Sequence, residues 1–275
     1  MSRLALLGSA TGGALSPVLH RSAYHALGLP WTYEAIDCAP SQLGRRLDEC
    51  RAGEWAGFSL TMPLKQAVVP LLDEIGDTAR QTGTVNCVSA RDGRLLGDNT
   101  DVHGMTAALS QVLPSAEDVV VLGGGATACS ALAAAHRFGA KAATLLLRSP
   151  DRAPIVREIA RRVGMRLRVR PWTEAREHLD APLVVSTVPP GAADVLATGW
   201  RPGAGVLLDV VYRPWPTPLA AAAQPAGRTV VGGLAMLVHQ AARQVELQTG
   251  CERAPLQAMF AAVDEIASDV TSISQ

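Results

Sequence analysis

The stretch that most constrains this chain is Asp118-Val119-Val120-Val121-Leu122-Gly123-Gly124-Gly125-Ala126-Thr127-Ala128, which leads into an alanine-rich segment that closes at Gly139. A short β-branched run reads as a buried strand. The glycines then give a tight turn, and the alanines give a helix of high propensity with Gly139 placed to end it. Gly123 turns the chain where a Cβ would clash. Gly125 lets the backbone approach a pyrophosphate, with the positive end of the following helix facing that anion. Ala128 stands where the dinucleotide-binding fingerprint accepts Gly or Ala for close helix–strand packing.

A glycine-rich βα turn occurs in many parallel α/β proteins, so the residues that follow decide what it holds. Ala142 to Leu147 is a second strand, and it ends in Arg148 and Ser149, with Arg152 one helical turn on. An NAD-selective domain usually places Asp or Glu at that strand end to bond the ribose 2′-hydroxyl. Two guanidiniums and a hydroxyl instead suit a 2′-phosphate, which Arg holds bidentately. Asp151 falls where it can cap the next helix. NADP is therefore expected rather than NAD.

At 275 residues the chain has material for one large or two moderate domains. Its 25 basic and 25 acidic residues cancel, so there is no global basic field for nucleic acid. Hydrophobic residues at 48% with aromatics at only 4% suit an α/β enzyme. Five scattered cysteines show neither CxxC nor metal-ligand spacing, so a reduced, cytoplasmic chain with no metal is expected. The apolar start of the chain breaks at Gly8 and reads as a first strand rather than a signal peptide. No apolar run is long enough to cross a membrane.

Ser16 and Pro17 form a strong helix start, with the hydroxyl expected as N-cap and the proline as first helical residue. The same hydroxyl could face an anionic substrate group. Trp31 to Asp37 reads as a strand, and Ser41 to Arg51 as an amphipathic helix. Ala56 to Leu64 reads as a strand that runs into a helix, with the Ser59 and Thr61 hydroxyls on one face. Lys65 then lies in a first helical turn, an unfavourable place for a cation and therefore a suspicious one. Thr84 to Ser89 and Leu95 to Gly97 form a hairpin about Asp92-Gly93. The polar knot Asp98-Asn99-Thr100-Asp101 opens the next helix. Capping by Asn99 or Thr100 accounts for one of these four residues but not all of them. From 118 to about 231, strands and helices alternate as in a doubly wound parallel sheet, and Thr187 lies at a strand end where ligands of such folds sit.

Taken together, Leu15-Ser16-Pro17, Thr61-Met62-Pro63-Leu64-Lys65, Val85-Asn86, Asp98 to Asp101, Gly123 to Thr127, Arg148-Ser149, Asp209 to Tyr212, and Gly233 to Met236 with Gln240 resemble shikimate dehydrogenase over nearly the whole chain. The resemblance implies an α/β fold in which an N-terminal substrate domain (1–103) and C-terminal helices (233–275) flank an inserted Rossmann-type NADP domain (104–232). It implies that Lys65 and Asp101 pair as the catalytic acid/base couple. Ser16, Thr61, Asn86, Tyr212 and Gln240, together with Asp101, map onto substrate-binding positions. Asp77, Gly123, Gly124, Gly125, Ala126, Thr127, Arg148, Ser149, Arg152, Thr187, Val210, Gly233 and Met236 map onto the cofactor side. The implied partner is a small molecule, with no nucleic acid or membrane, and a homodimer is compatible with it.

Three positions depart from the family's usual pattern: Ala14 replaces the first serine of S-x-S-P, Ser59 the common Asn, and Leu147 the Asn of N-R-T. A missing hydrogen bond to a charged group costs about 1.5–3 kcal/mol, less where water substitutes. Ala14 therefore bears on substrate choice rather than fold. The expected reaction is reversible, NADP-dependent reduction of 3-dehydroshikimate to shikimate in aromatic amino acid biosynthesis. The alternatives are the same chemistry on quinate or an amino analogue, methylene-tetrahydrofolate dehydrogenase, or a non-catalytic NADP- or shikimate-sensing protein. Cys87 beside Asn86 reads as a small buried residue.

Overall fold

The computed structural model describes residues 2–272 and divides into two compact units. The first comprises residues up to Arg80, Thr84–Thr100 and everything from Leu237 on; the second comprises Gln81–Gly83 and Asp101–Met236. The divisions thus fall a few residues away from 103/104 and 232/233. All of the helix that begins at Asp101 goes with the second unit, because Val102 and Met105 are buried in that unit's core, as is Met236.

The first unit holds β1 (Arg3–Gly8), α1 (Ser16–Ala26), β2 (Thr32–Asp37), α2 (Pro40–Arg51), β3 (Gly57–Leu60), α3 (Leu64–Ala67), β4 (Glu74–Ile75), most of α4 (Asp77–Thr82), β5 (Cys87–Arg91) and β6 (Arg94–Asp98). Its sheet runs β2-β1-β3-β5-β6-β4. β1 is parallel to both β2 and β3, while β5 is antiparallel to β3 and β6. Leu4 to Leu7 of β1 are all buried, as a continuous apolar run on a strand covered on both faces should be. The β5–β6 turn puts Asp92 at φ 50° and Gly93 at φ 73°, the doubly left-handed backbone of a type I′ hairpin. Leu43, Leu47, Phe58, Leu64, Val85 and Leu95 belong to the core beneath.

The second unit follows with α5 (Asp101–Ser110), β7 (Asp118–Leu122), α6 (Ala126–Arg137), β8 (Ala142–Leu147), α7 (Ala153–Arg162), β9 (Arg166–Pro171), β10 (Leu183–Ser186), β11 (Val206–Asp209), α8 (Pro218–Ala223) and β12 (Thr229–Gly232). Its sheet is wholly parallel in the order β12-β11-β10-β7-β8-β9. The chain steps from β7 outward to β9, then crosses back and builds outward on the other side from β10. That reversal is the topological switch point at which doubly wound sheets bind ligands. Val119, Val121, Leu145, Val185 and Leu208 point into one core, and Val120, Leu122, Leu146, Val184 and Leu207 into the other. This is the two-residue alternation of a sheet covered on both faces.

α9 (Gly233–Thr249) begins in the second unit and continues into the first, where it is followed by α10 (Leu256–Ser272). α10 packs against α1. Among the described residues no helix is long and apolar enough to cross a membrane.

At Gly57 of β3 an added Cβ would overlap the Val88 carbonyl oxygen of β5, a backbone atom held by the β3–β5 ladder. Gly57→Ala is therefore expected to lower the unfolding free energy by about 1–3 kcal/mol. Urea unfolding should show an earlier midpoint at unchanged m; a wild-type midpoint would mean the strands part at no cost.

Candidate active site

In the first unit hydrogen bonds join several of the buried polar side chains around Asn86. Asn86 is 1% exposed and directly precedes β5. Its Oδ1 accepts the Thr100 backbone N–H at 2.7 Å. Its Nδ2 donates to Thr100 Oγ1 at 3.0 Å and to Gln240 Oε1 at 3.1 Å. Gln240, from α9, in turn donates from Nε2 to the Leu237 carbonyl at 3.0 Å. The polar knot before α5 is now accounted for residue by residue. Asp98 Oδ1 accepts the Asn99 N–H at 2.7 Å, Asn99 Nδ2 donates to Thr84 Oγ1 at 2.7 Å, and Thr100 binds Asn86. Asp101, 3% exposed, is the first residue of α5, where the helix dipole favours its anion.

A second layer lies behind Asn86. Gln244, one turn along α9 from Gln240, donates from Nε2 to the Asn86 carbonyl at 3.0 Å. That carbonyl is acceptor-only, so the Gln244 amide has one orientation, and its Oε1 accepts from Ser59 Oγ at 2.7 Å. His20 Nε2 lies 3.2 Å from the same Oε1, and His20 Nδ1 lies 3.2 Å from the Tyr24 hydroxyl. Donation from Nε2–H to Gln244 and from Tyr24 to Nδ1 satisfies both nitrogens of a neutral imidazole. The ring stacks on Tyr33, with centroids 4.0 Å apart. Burial drives the His20 pKa down from 6.5 to about 3, opposed by the Gln244 hydrogen bond. Cys87 is buried, and burial pushes its thiol up, as suits a packing residue rather than a nucleophile.

Ser16 differs from expectation. The helical backbone starts a residue earlier, Leu15 is the N-cap, and no side-chain hydrogen bond caps the end. Ser16 is thus the first helical residue, buried, and its hydroxyl is not spent on capping. The turn before it is pinned by Asp37, whose Oδ1 accepts Thr11 N–H at 2.7 Å and Thr11 O–H at 2.8 Å. Those two bonds hold the Asp37 carboxyl below its usual range. Thr61 lies just past β3, half-buried, against Gly8, where any Cβ would overlap the threonine methyl. Lys65 is in α3, as expected, and its carbonyl accepts Val85 N–H at 2.8 Å, tying the lysine's backbone to the residue before Asn86. Asp77, at the start of α4, is fully exposed, with Arg80 Nε 3.8 Å from its Oδ1.

The second unit carries the glycine turn. Gly123 ends β7 at φ 108°, and a Cβ there would come 2.7 Å from Thr187 Oγ1, at the end of the adjacent β10. At Gly124 a Cβ would come 2.5 Å from Leu147 Cδ2 and 3.1 Å from Arg152 Cβ. Gly125 is different: nothing lies within 4 Å of a Cβ there. It is the N-cap of α6 and makes no side-chain capping bond; its carbonyl takes the Ala128 and Cys129 N–H groups, so those of Ala126 and Thr127 are the ones with no intrahelical partner. Gly123 and Gly124 are therefore glycines by packing and Gly125 leaves open space before a helix N-terminus, the arrangement that accepts a phosphate. Arg148, Ser149 and Arg152 are exposed at the β8 end. Asp151 does not cap α7, whose N-cap is Arg152; its Oδ2 accepts the Ser149 hydroxyl at 3.2 Å. This cradle fits a pyrophosphate and a 2′-phosphate.

On the far side of the switch point, Gly233 lies against Val210, and a Cβ would overlap the Val210 carbonyl oxygen. Met236 is in the adjoining core. The loop between, with half-buried Tyr212, is anchored by Asp209. Its carboxylate accepts Thr217 O–H at 2.7 Å and Val211 N–H at 3.2 Å. Burial pushes the Asp209 carboxyl above its usual range, opposed by those two bonds.

Hydrogen bonds thus join Asn86, Thr100 and Gln240, and close packing joins Gly123 with Thr187, Gly124 with Arg152, and Gly233 with Val210. Sequence reasoning overlooked Gln244 and His20. The signal for Gln244 was present in the four-residue spacing of Gln240, Gln244 and Gln248 along one helix face.

Comparison with known proteins gives matches along the chain. Residues 6–88 match the family model of the shikimate dehydrogenase substrate binding domain, and residues 233–263 that of the shikimate 5′-dehydrogenase C-terminal domain. Shikimate dehydrogenase (NADP(+)) of Oleidesulfovibrio alaskensis is 37% identical over 272 residues, spanning 96% of this chain and 95% of that protein. The crystal structure of shikimate 5-dehydrogenase from Thermus thermophilus in complex with NADP(H) and shikimate is 33% identical, with a TM-score of 0.83 over 96% of this chain and 99% of that one. Quinate dehydrogenase from Corynebacterium glutamicum in complex with NAD is 27% identical, with a TM-score of 0.86 over 96% and 99% of the two chains.

His20 gives the first unit an acid liability. Its folded pKa of about 3 lies below the ordinary 6.5, so between these values the unfolded chain binds more protons than the folded one. The stability from keeping His20 neutral is complete above pH 6.5 and drains away as pH falls toward 3, by at most on the order of 5 kcal/mol. Denaturant unfolding of wild type and His20→Gln across that range should show a shallower pH slope in the variant; identical slopes would clear His20.

Proposed function

Because this chain belongs to the shikimate dehydrogenase family, we propose that it catalyses the reversible, NADP-dependent reduction of 3-dehydroshikimate to shikimate. The observation that supports this most is the buried Asn86–Thr100–Gln240 network, in which two amides that could grip a polyhydroxylated ring are held by hydrogen bonds the fold itself supplies. Amides and hydroxyls fixed in this way bind by orientation rather than by charge, as a neutral ring alcohol requires.

In this proposal the substrate is held by Ser16, Thr61, Asn86, Tyr212 and Gln240, with Asp101 bonding ring hydroxyls. Residues 1–103 and 233–275 would serve the substrate and 104–232 NADP(H). The cofactor would be held by the glycine turn (123–125) with Ala126 and Thr127, by Arg148, Ser149 and Arg152 at the 2′-phosphate, and by Asp77, Thr187, Val210, Gly233 and Met236. Bound NADPH supplies the hydride. The developing alkoxide needs a proton, and Lys65 delivers it from Nζ and takes it back in the oxidation direction. Asp101 orients that ammonium. Ser16 is free of capping duty and can face the substrate carboxylate. A cytoplasmic setting suits five free thiols, and the reaction serves aromatic amino acid biosynthesis by way of chorismate.

Ala14 favours a second reading, turnover of quinate. It offers no hydroxyl where the family's usual pattern has a serine, and the chain is also similar to a quinate dehydrogenase.

Initial rates with shikimate and quinate, each with NADP⁺ and NAD⁺, test the proposal. The highest kcat/KM is expected for shikimate with NADP⁺; a quinate preference selects the second reading, and no oxidation of either substrate rejects both. Lys65→Ala should lower kcat by at least about a hundredfold, the usual scale of a general acid/base contribution, while NADPH affinity stays near wild type. Near-normal turnover in that variant would remove Lys65 from the mechanism.

A further inference from the structure

α9 presents three glutamines at four-residue intervals, Gln240, Gln244 and Gln248, and all three bond the segment from Asn86 into β5. Gln240 meets the Asn86 side chain, Gln244 Nε2 donates to the Asn86 carbonyl at 3.0 Å, and Gln248 Nε2 donates to the Val88 carbonyl at 3.4 Å. Four helical residues rise about 6 Å and two strand residues about 6.6 Å, so successive helix turns meet alternate strand carbonyls. The glutamines act as rungs that set how far along the strand α9 lies. The middle rung is the most fully built, because Gln244 Oε1 is filled by Ser59 Oγ at 2.7 Å and His20 Nε2 at 3.2 Å. Gln244, Ser59 and His20 are all at most 2% exposed, so bulk water has little access with which to replace a lost partner.

We propose that Gln244 is a positioning residue for substrate binding: it fixes Asn86 against Gln240, and Ser59 and His20 fix Gln244. This rests on the reading that Asn86 and Gln240 hold the substrate. Gln244 acts through the Asn86 backbone and not on the substrate itself. Ser59, where the family's usual residue is Asn, is then the hydroxyl that completes the Gln244 acceptor rather than a stray substitution. The geometry also explains a buried, neutral histidine far from any proton-transfer role: its Nε2–H saturates the second lone pair of the amide oxygen.

Gln244→Met, which keeps helix propensity and approximate volume, and the milder Ser59→Ala separate positioning from mere stability. In Gln244→Met the shikimate KM is expected to rise roughly tenfold, and in Ser59→Ala roughly threefold, with the NADP⁺ KM within about twofold of wild type in both, since an intact nucleotide site should not register a displaced amide. The double variant should fall short of the product of the single effects, because both substitutions break one network. A lowered Tm with an unchanged shikimate KM overturns the proposal, as do equal rises in both KM values. If Gln244→Met does not fold, Ser59→Ala decides alone, and a wild-type shikimate KM overturns the proposal. Wild-type protein that oxidises neither shikimate nor quinate sinks the underlying reading, and the positioning role with it; failure of the positioning role alone leaves an active wild type and unresponsive variants.

Discussion

A buried asparagine side chain has to find hydrogen bonds inside the protein, and the first unit is arranged to provide them to Asn86. Its amide faces the turn before α5 through Thr100 and α9 through Gln240, while its backbone carbonyl takes Leu60 N–H from the end of β3 and Gln244 from α9. Segments separated by up to 158 residues in sequence are thus joined at one residue. An unmet polar group at this depth costs about 1–3 kcal/mol, so none of these segments can shift independently without penalty. Lys65 is drawn into the same frame, because its carbonyl accepts from Val85, the residue before Asn86.

The second unit solves a different problem by removing atoms. Gly123 and Gly124 allow β7, β10 and the Arg152 segment to close around the switch point, while Gly125 leaves open space before α6. Unpaired backbone N–H groups and a helix dipole at that end suit a phosphate, and neither needs a side chain. Arg148, Ser149 and Arg152, which in the proposed function tell one dinucleotide from another, are exposed at the end of β8. Asp209 anchors the loop on the opposite side of the switch point. It is buried at the end of β11 and bonds both Val211 and Thr217, so the carriers of Val210 and Tyr212 are held at both ends.

The two units therefore use opposite strategies, a buried hydrogen-bonded network in one and a backbone cradle in the other. The two tolerate change differently. The cradle fails when an atom is added, since a Cβ at Gly123 or Gly124 meets neighbours already in contact. The network fails when an atom is removed, since losing a donor or acceptor at Asn86, Thr100, Gln240 or Gln244 leaves its partner unmet. Ala14 lies in neither scheme: it is half-buried in the turn leading to Ser16, where a hydroxyl can be gained or lost without disturbing the fold.

Local chemistry was legible from the chain alone. The β-branched run ending at Gly123, the Asp92-Gly93 hairpin, the paired arginines after β8 and the order of the motifs all lie within short windows, and periodicity and glycine placement act over that range. Helix starts were less legible. Ser16 and Asp151 both have the composition of caps, yet Leu15 and Arg152 take those positions, because the exact first residue of a helix depends on backbone angles that the surrounding packing sets. The Gln244–Ser59–His20 network was not legible at all, although each residue is plain in the sequence. His20 and Gln244 lie 224 residues apart, and glutamine, serine and histidine have no local signature that names a distant partner. Sequence settled which elements form and which phosphate chemistry they suit, because both follow from short-range sterics and charge. Only the tertiary structure decided which buried polar groups answer one another, because that pairing exists only once the sheet and α9 have come together and excluded water.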